Sequence, residues 1–126
     1  MGERVEAAVL DAALQYIEDN ATKLIVCSAE PTNYTEANST YALADVVIDA
    51  TDFTGPAAGD VSGGRKTTVA AQTGVLIDAS GTATHIALVK TATSALLHVA
   101  TCTSQALVAN GSNTVNIPAY DIEIDP

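Results

Sequence analysis

The segment VLIDASGTATHIALVKTATSALLHVATCT, residues 75–103, holds three runs rich in Val, Ile, Leu and Thr. They are separated by Ser80-Gly81 and by Thr91-Ala92-Thr93-Ser94. Short β-branched runs bounded by turn formers read as strands, and connections this short join antiparallel neighbours. The expectation is a meander of three consecutive antiparallel strands over 75–79, 82–90 and 95–103. Moving outward, the same texture continues, with punctuation at intervals of roughly eight to twelve residues, the pattern of a sandwich or barrel and not of βαβ units. TKLIVCS at 22–28 is a strand stopped by Glu30-Pro31-Thr32-Asn33, and further strands are expected at 41–49, 65–71 and 114–124. Pro118 interrupts the last one and marks a bulge or an edge position. The stretch ATDFTGPAAGDVSGG at 50–64 carries Gly55, Pro56, Gly59, Gly63 and Gly64 without a periodic apolar face, so it reads as a long exposed loop. Residues 29–40 and 109–113 are the shorter connections.

The N-terminus follows a different period. From Glu3 to Asn20, Val5, Val9, Ala13 and Ile17, joined by Leu10, Leu14 and Tyr16, recur at steps of three and four, as in an amphipathic helix. Its alanines favour the helix, Glu3 and Glu6 complement the positive end of its dipole, and Asn20 suits its end. The expected fold is mainly β with one N-terminal α-helix, the β body forming an antiparallel β-sandwich or a jelly-roll-like barrel. Helix (about 3–20) and β body (about 22–124) make one domain over 1–126, since a chain of 126 residues with 48% hydrophobic content supports one compact core.

The net charge of −10, with five Lys plus Arg, leaves few groups to neutralise phosphates, which argues against nucleic acid or an anionic membrane as the main partner. No apolar run approaches the ~18 residues of a membrane span, and the acidic N-terminus is unlike a signal peptide. Cys27 and Cys102 are expected as two buried thiols; a single disulfide between neighbouring strands is the alternative that the spacing leaves open. With one Phe, four Tyr and no Trp, the core is built of small residues, so part of the stability is expected to come from association with a partner or with copies of the chain.

Reactive constellations are weak. His85 and His98 face each other if a two-residue turn at Thr91-Ala92 joins their strands and are separated by a four-residue turn at 91–94; either way they fall short of the ligand number zinc takes. Ser62-Gly63-Gly64-Arg65-Lys66 lacks the spacing and the helix of a phosphate-binding loop. Asp49, Asp52 and Asp60 lack the order of a calcium loop and read as solvated charge. No nucleophile motif is present, so the expectation is a protein that is not an enzyme, with no cofactor and no metal. At the C-terminal end, Ile122 and Ile124 share one face while Asp121, Glu123 and Asp125 form a row toward water or toward a basic partner.

Three stretches carry a family resemblance: LDAALQYIEDNATKLIVCSAEPTNYTEA at 10–37, VSGGRKTTVAAQTGVLIDASGTATHIALV at 61–89 and TCTSQALVANGSNTVNIPAYDIEI at 101–124. Together they resemble a family of small structural proteins of tailed bacteriophages and prophages, whose members with a role look like capsid cement or decoration proteins. The resemblance implies a virion protein on the capsid surface, assembled in the host cytoplasm. Its partners would be the major capsid protein and other copies of itself, with no direct contact to nucleic acid or membrane. It equally admits a neck, tail or head-completion component, and a virion-borne carbohydrate-binding module is the further alternative, disfavoured by the missing Trp and scarce Tyr. Contacts are expected from the loops at 29–40 and 50–64, the N-terminal helix, and the side chains Tyr34, Phe53, Pro56, Arg65, Lys66 and Tyr120.

Overall fold

The structure, a computed structural model, describes residues 5–60 and 62–124. Helix α1 (Ala7–Asn20) opens the fold. It starts without a side-chain cap at Glu6 and ends where the Ala21 N–H bonds the Ile17 carbonyl, with Asn20 Nδ2 donating to Tyr16 O at 2.8 Å. The buried face is Leu10, Leu14 and Glu18, with Ile17 half-buried, whereas Val9 and Tyr16 stay 60% and 59% exposed. Of the expected apolar stripe, Leu10, Leu14 and Ile17 therefore face the core, whereas Val5, Val9, Ala13 and Tyr16 point outward. The helix carries apolar residues over most of its circumference, so periodicity alone permits more than one stripe. The side with two leucines removes more apolar area from water and takes the core.

The strands are β1 (Lys23–Cys27), β2 (Ala42–Val47), β3 (Phe53–Ala58), β4 (Arg65–Val69), β5 (Gln72–Leu76), β6 (Gly81–Lys90), β7 (Ala95–Leu107), β8 (Thr114–Ile117) and β9 (Tyr120–Ile124). All pair antiparallel, in the orders β2-β1-β6-β7, β3-β4-β9 and β5-β8. The fold is thus mainly β with one helix near the N-terminus, arranged in a β-sandwich-like way. Leu24, Val26, Ile86 and Leu88 of the four-stranded sheet meet Phe53, Val69, Val75, Ile117 and Ile122 from the other two sheets in one core, which Leu14 of the helix joins. On the opposite face of the four-stranded sheet, Ile25, Cys27, Ala87 and Val89 pack under Ala37, Tyr34 and Tyr41. Covered on both faces, β1 and the end of β6 read as unbroken apolar runs and not as alternating ones.

Three expectations are corrected. The hairpin β6–β7 forms, but β5 does not complete a meander with it; it pairs with β8. The physical reason lies in residues 77–79. Ile77 bridges Ala44, and the Leu43 carbonyl accepts from both Asp78 N–H and Ala79 N–H, which ties the chain after β5 to β2 instead of folding it back onto β6. The stretch 50–64 is not one loop. A 3-10 turn at Ala50–Asp52 leads into β3, an edge strand that tolerates Pro56, with a register shift between Thr54 and Ala57 absorbing Gly55-Pro56. Pro118 is neither bulge nor edge residue within one strand: it separates β8 from β9, which belong to different sheets.

The thiols stay free, Cys27 buried and Cys102 half-buried, so the second is less enclosed than expected. Because β6 lies between β1 and β7, their strands are two spacings apart, roughly 9–10 Å, beyond the ~7 Å Cα reach of a disulfide. Burial, with a smaller contribution from Cys102, pushes the Cys27 thiol up to about 11.

Candidate interaction surface

Of the six expected contact residues, five fall on one sheet. Phe53 and Pro56 lie on β3, Arg65 and Lys66 on β4, and Tyr120 on β9 as the register partner of Val69. Tyr34 is elsewhere, half-buried over the second core. The structure removes Phe53 from the surface, because at 8% exposure its ring belongs to the core. It also occupies both cations. Arg65 clamps Asp11 of the helix through Nε at 2.7 Å and Nη2 at 3.2 Å, a two-point contact of the kind guanidinium makes best. Lys66 Nζ donates to Asp60 at 3.1 Å and to Asp121 at 3.2 Å, hydrogen bonds that hold its pKa above the usual value.

The acidic row is likewise engaged. Asp121 accepts from Thr68 Oγ1 at 2.7 Å as well as from Lys66, and these bonds hold its pKa below the usual carboxylate range. Glu123 Oε1 accepts the Asp60 N–H at 3.0 Å, so a donor of the glycine-rich turn closed by Gly59 N–H to Gly64 O is taken by a carboxylate of the same chain. Asp125 lies outside the described residues. Asp49 and Asp52 cap the 3-10 turn, Asp49 accepting from Thr51 and its own N–H donating to Asp52 Oδ2 at 2.9 Å. These aspartates are turn and strand fasteners rather than one cluster. Among the described residues no group of three or more His, Cys, Asp and Glu is placed to hold a metal.

A depressed carboxylate pKa favours folding above the unfolded-state value near 3.9 and ceases to do so as pH falls through the folded-state value. Asp49, held down by its Thr51 bonds, and Glu36, held down by Thr32, act in the same direction as Asp121. The thermal midpoint is therefore expected to fall below about pH 4. Asp121→Asn should lower the midpoint more at pH 6 than in acid, where Asp121 becomes protonated, as read by circular dichroism melts; an equal offset across the pH range would refute the assignment.

The histidines part company. The turn from Thr91 to Ser94, closed by Ser94 N–H to Thr91 O with Ser94 left-handed at φ 53°, is the four-residue alternative. It pairs His85 with Thr101 and His98 with Leu88. Thr84 Oγ1 bonds His85 Nδ1 at 2.8 Å, while His98 Nδ1 is buried without a partner and burial lowers its pKa.

A surface that no motif search singles out emerges from β7. Strands β6, β7 and β8 lie within residues 79–120, a span containing no Asp or Glu, although the whole chain holds fifteen. β7 stands at the edge of its sheet, bonded on one side to β6. Over thirteen residues it carries no Lys, Arg, Pro or carboxylate. Beside it, between the β6–β7 hairpin and β8–β9, runs a cleft of about 540 Å³ lined by Ile86, Ala100, Cys102, Leu107, Ile117 and Tyr120 among others. The Tyr120 hydroxyl is buried there without a hydrogen-bond partner, and burial raises its pKa. The signal was present in the sequence as the carboxylate-free span, legible by mapping charge along the chain. Which strand ends a sheet was not legible.

No protein-family model, no curated protein and no solved structure matches this chain.

Proposed function

We propose that the chain is a non-enzymatic structural protein of a tailed-bacteriophage particle, a capsid cement or decoration protein that binds the outside of the shell made by the major capsid protein and stabilises it. The resemblance of residues 10–37, 61–89 and 101–124 to small phage structural proteins supplies the setting. The observation that carries the reading is the division of the surface. The acidic groups Asp60, Asp121 and Glu123 on the 59–64 turn and β9 are tied to neighbours of the same chain, whereas β7 ends its sheet beside a largely apolar cleft that Asp121 borders. A strand edge with an apolar cleft beside it suits another polypeptide, which can pair with the backbone and fill the cleft together.

An acidic body of net charge −10 belongs on the exterior of a shell, away from packaged phosphates that would repel it. The exposed Val9 and Tyr16 of the helix add an apolar stripe available to the shell. Individually modest contacts, repeated over a lattice, stabilise the particle by mass action. Particles assembled without the chain and then given the purified protein should bind it saturably on their exterior and release their DNA at a higher temperature. Failure to bind such particles contradicts the proposal.

A further inference from the structure

We infer that Asn110-Gly111, in the turn between β7 and β8, is a self-modifying site. There the Gly111 backbone nitrogen closes on the Asn110 side chain and converts it to aspartate or isoaspartate with release of ammonia. The inference concerns the isolated chain and stands apart from the shell it is proposed to bind.

The first argument is access. The chain has six asparagines, and Asn110 is the one followed by glycine. Attack by the next residue's nitrogen on the side-chain carbonyl carbon closes a five-membered ring, and a Cβ on that residue crowds the approach. Gly111 has none, is exposed, and holds φ +86° with open space where a Cβ would stand. The other asparagines are held differently. Asn20 is committed at both ends, Oδ1 to Lys90 and Nδ2 to the Tyr16 carbonyl, and the Ala21 N–H beside it bonds the Ile17 carbonyl. Asn116 Oδ1 accepts the Gly74 N–H and precedes the buried Ile117. Asn33, Asn38 and Asn113 precede Tyr34, Ser39 and Thr114, each of which carries a Cβ.

The second argument is the set of groups around the amide. Three donors converge on Asn110 Oδ1: the Ser112 N–H at 3.0 Å, Ser112 Oγ at 3.2 Å and the Asn113 N–H at 2.8 Å. An amide accepts through its carbonyl oxygen alone, so this convergence leaves Nδ2 outside the network. Among the described residues, neither Asn110 Nδ2 nor the Gly111 N–H has a partner. The donors are themselves fixed, because Asn113 Nδ2 bonds the Val108 carbonyl at 3.0 Å and the Asn113 carbonyl accepts the Ile77 N–H at 3.0 Å. The turn thus has the parts of an acyl-transfer site: an unbonded nucleophile one residue away, donors on the oxygen where charge develops, and an untethered leaving group.

The chemistry balances with water alone. Solvent hydroxide takes the Gly111 amide proton, and the nitrogen forms a bond to Asn110 Cγ. The carbonyl electron pair moves onto Oδ1, where the three donors stabilise it, and returns as the Cγ–Nδ2 bond breaks. Nδ2 takes a proton from water and leaves as ammonia. A second water opens the resulting succinimide at either carbonyl. Cleavage at Cγ gives aspartate on the original backbone, and cleavage at the backbone carbonyl gives isoaspartate. No electron is exchanged with any other group. Aspartate retains the oxygen that the donors hold and makes those bonds charge-assisted, so the turn persists. It is also the first carboxylate within residues 79–120, the span that contains β7.

The test incubates the full folded chain at physiological temperature in neutral and in mildly alkaline buffer, followed by peptide mapping with mass spectrometry. Asn110→Asp serves as the standard for the aspartate product. Asn110 should gain the mass difference between amide and acid, faster in alkali, in two forms of equal mass, while the other asparagines stay intact. Ser112→Ala removes the hydroxyl donor without touching the backbone and should slow the conversion roughly two- to tenfold, the worth of one hydrogen bond. Gly111→Ala should slow it further. Both variants should keep the circular dichroism spectrum. The chain unfolded in urea reports the Asn-Gly sequence alone, and there Ser112→Ala should make no difference. An Asn110 that stays intact in the folded chain while the unfolded chain converts overturns the inference. So does conversion shared evenly with the other asparagines, or a folded rate indifferent to Ser112→Ala. None of these results bears on whether the protein binds a shell, so the two proposals fail separately.

Discussion

Replacing Leu88 with alanine is expected to lower the unfolding free energy by about 2–5 kcal/mol. Leu88 is fully buried on β6, paired with Leu24 on one side and His98 on the other, and it belongs to the core shared by all three sheets. The removed methyl groups lose their transfer free energy, and the rigid neighbouring strands cannot collapse into the space left behind. A small domain holds about 5–15 kcal/mol in total, so the loss takes a large share. The core has few large side chains to compensate, since Phe53 is the one phenylalanine and several other core positions are alanine. Urea unfolding should show a lower midpoint with an unchanged slope. A loss under about 1 kcal/mol would mean that this sheet face is not the core described.

The second large effect is expected at Gly55. Its φ of +137° is a backbone conformation that side chains with a Cβ rarely adopt. A Cβ there would lie 2.9 Å from the Lys66 carbonyl oxygen and 3.1 Å from Thr67 Cα, both backbone atoms of β4 that cannot rotate away. Gly55→Ala is expected to cost about 1–3 kcal/mol in strain, with the displacement of β3 from β4 added to it. Gly74 provides the contrast. At φ +65° it is also left-handed, but a Cβ would meet nothing within 4 Å, so Gly74→Ala should cost only about 1 kcal/mol. Paired urea titrations separate the two cases. Equal losses at the two positions would remove the close approach of β3 to β4 as the explanation.

The helix and the β texture were legible because both periods are strong, but the sequence could not choose the buried side of the helix. Leu10 and Leu14 form one stripe and Val5, Val9 and Tyr16 another, and only the sheet beneath decides between them. Strand partners were similarly underdetermined. The turn at 91–94 specifies a hairpin locally, whereas β5 finds β8 through residues 77–79 and 113, a contact far from it in the chain. Gly55-Pro56 made β3 resemble a loop, since the local composition does not reveal that an edge position tolerates both. For the interaction surface, the charged candidates Arg65 and Lys66 drew attention by type, yet both are consumed by partners on other segments. The informative pattern was the reverse, a long span lacking carboxylates. Its meaning depended on β7 ending a sheet, a tertiary fact.

Covering a protein shell, as proposed, fixes how many copies of the chain a purified phage particle must hold. Quantitative mass spectrometry of the particle whose genome encodes the chain, scaled to the major capsid protein, should find on the order of hundreds of copies, as repeated weak binding over a lattice requires. A handful of copies would place the protein at a neck or tail, and its absence from the particle would contradict the account.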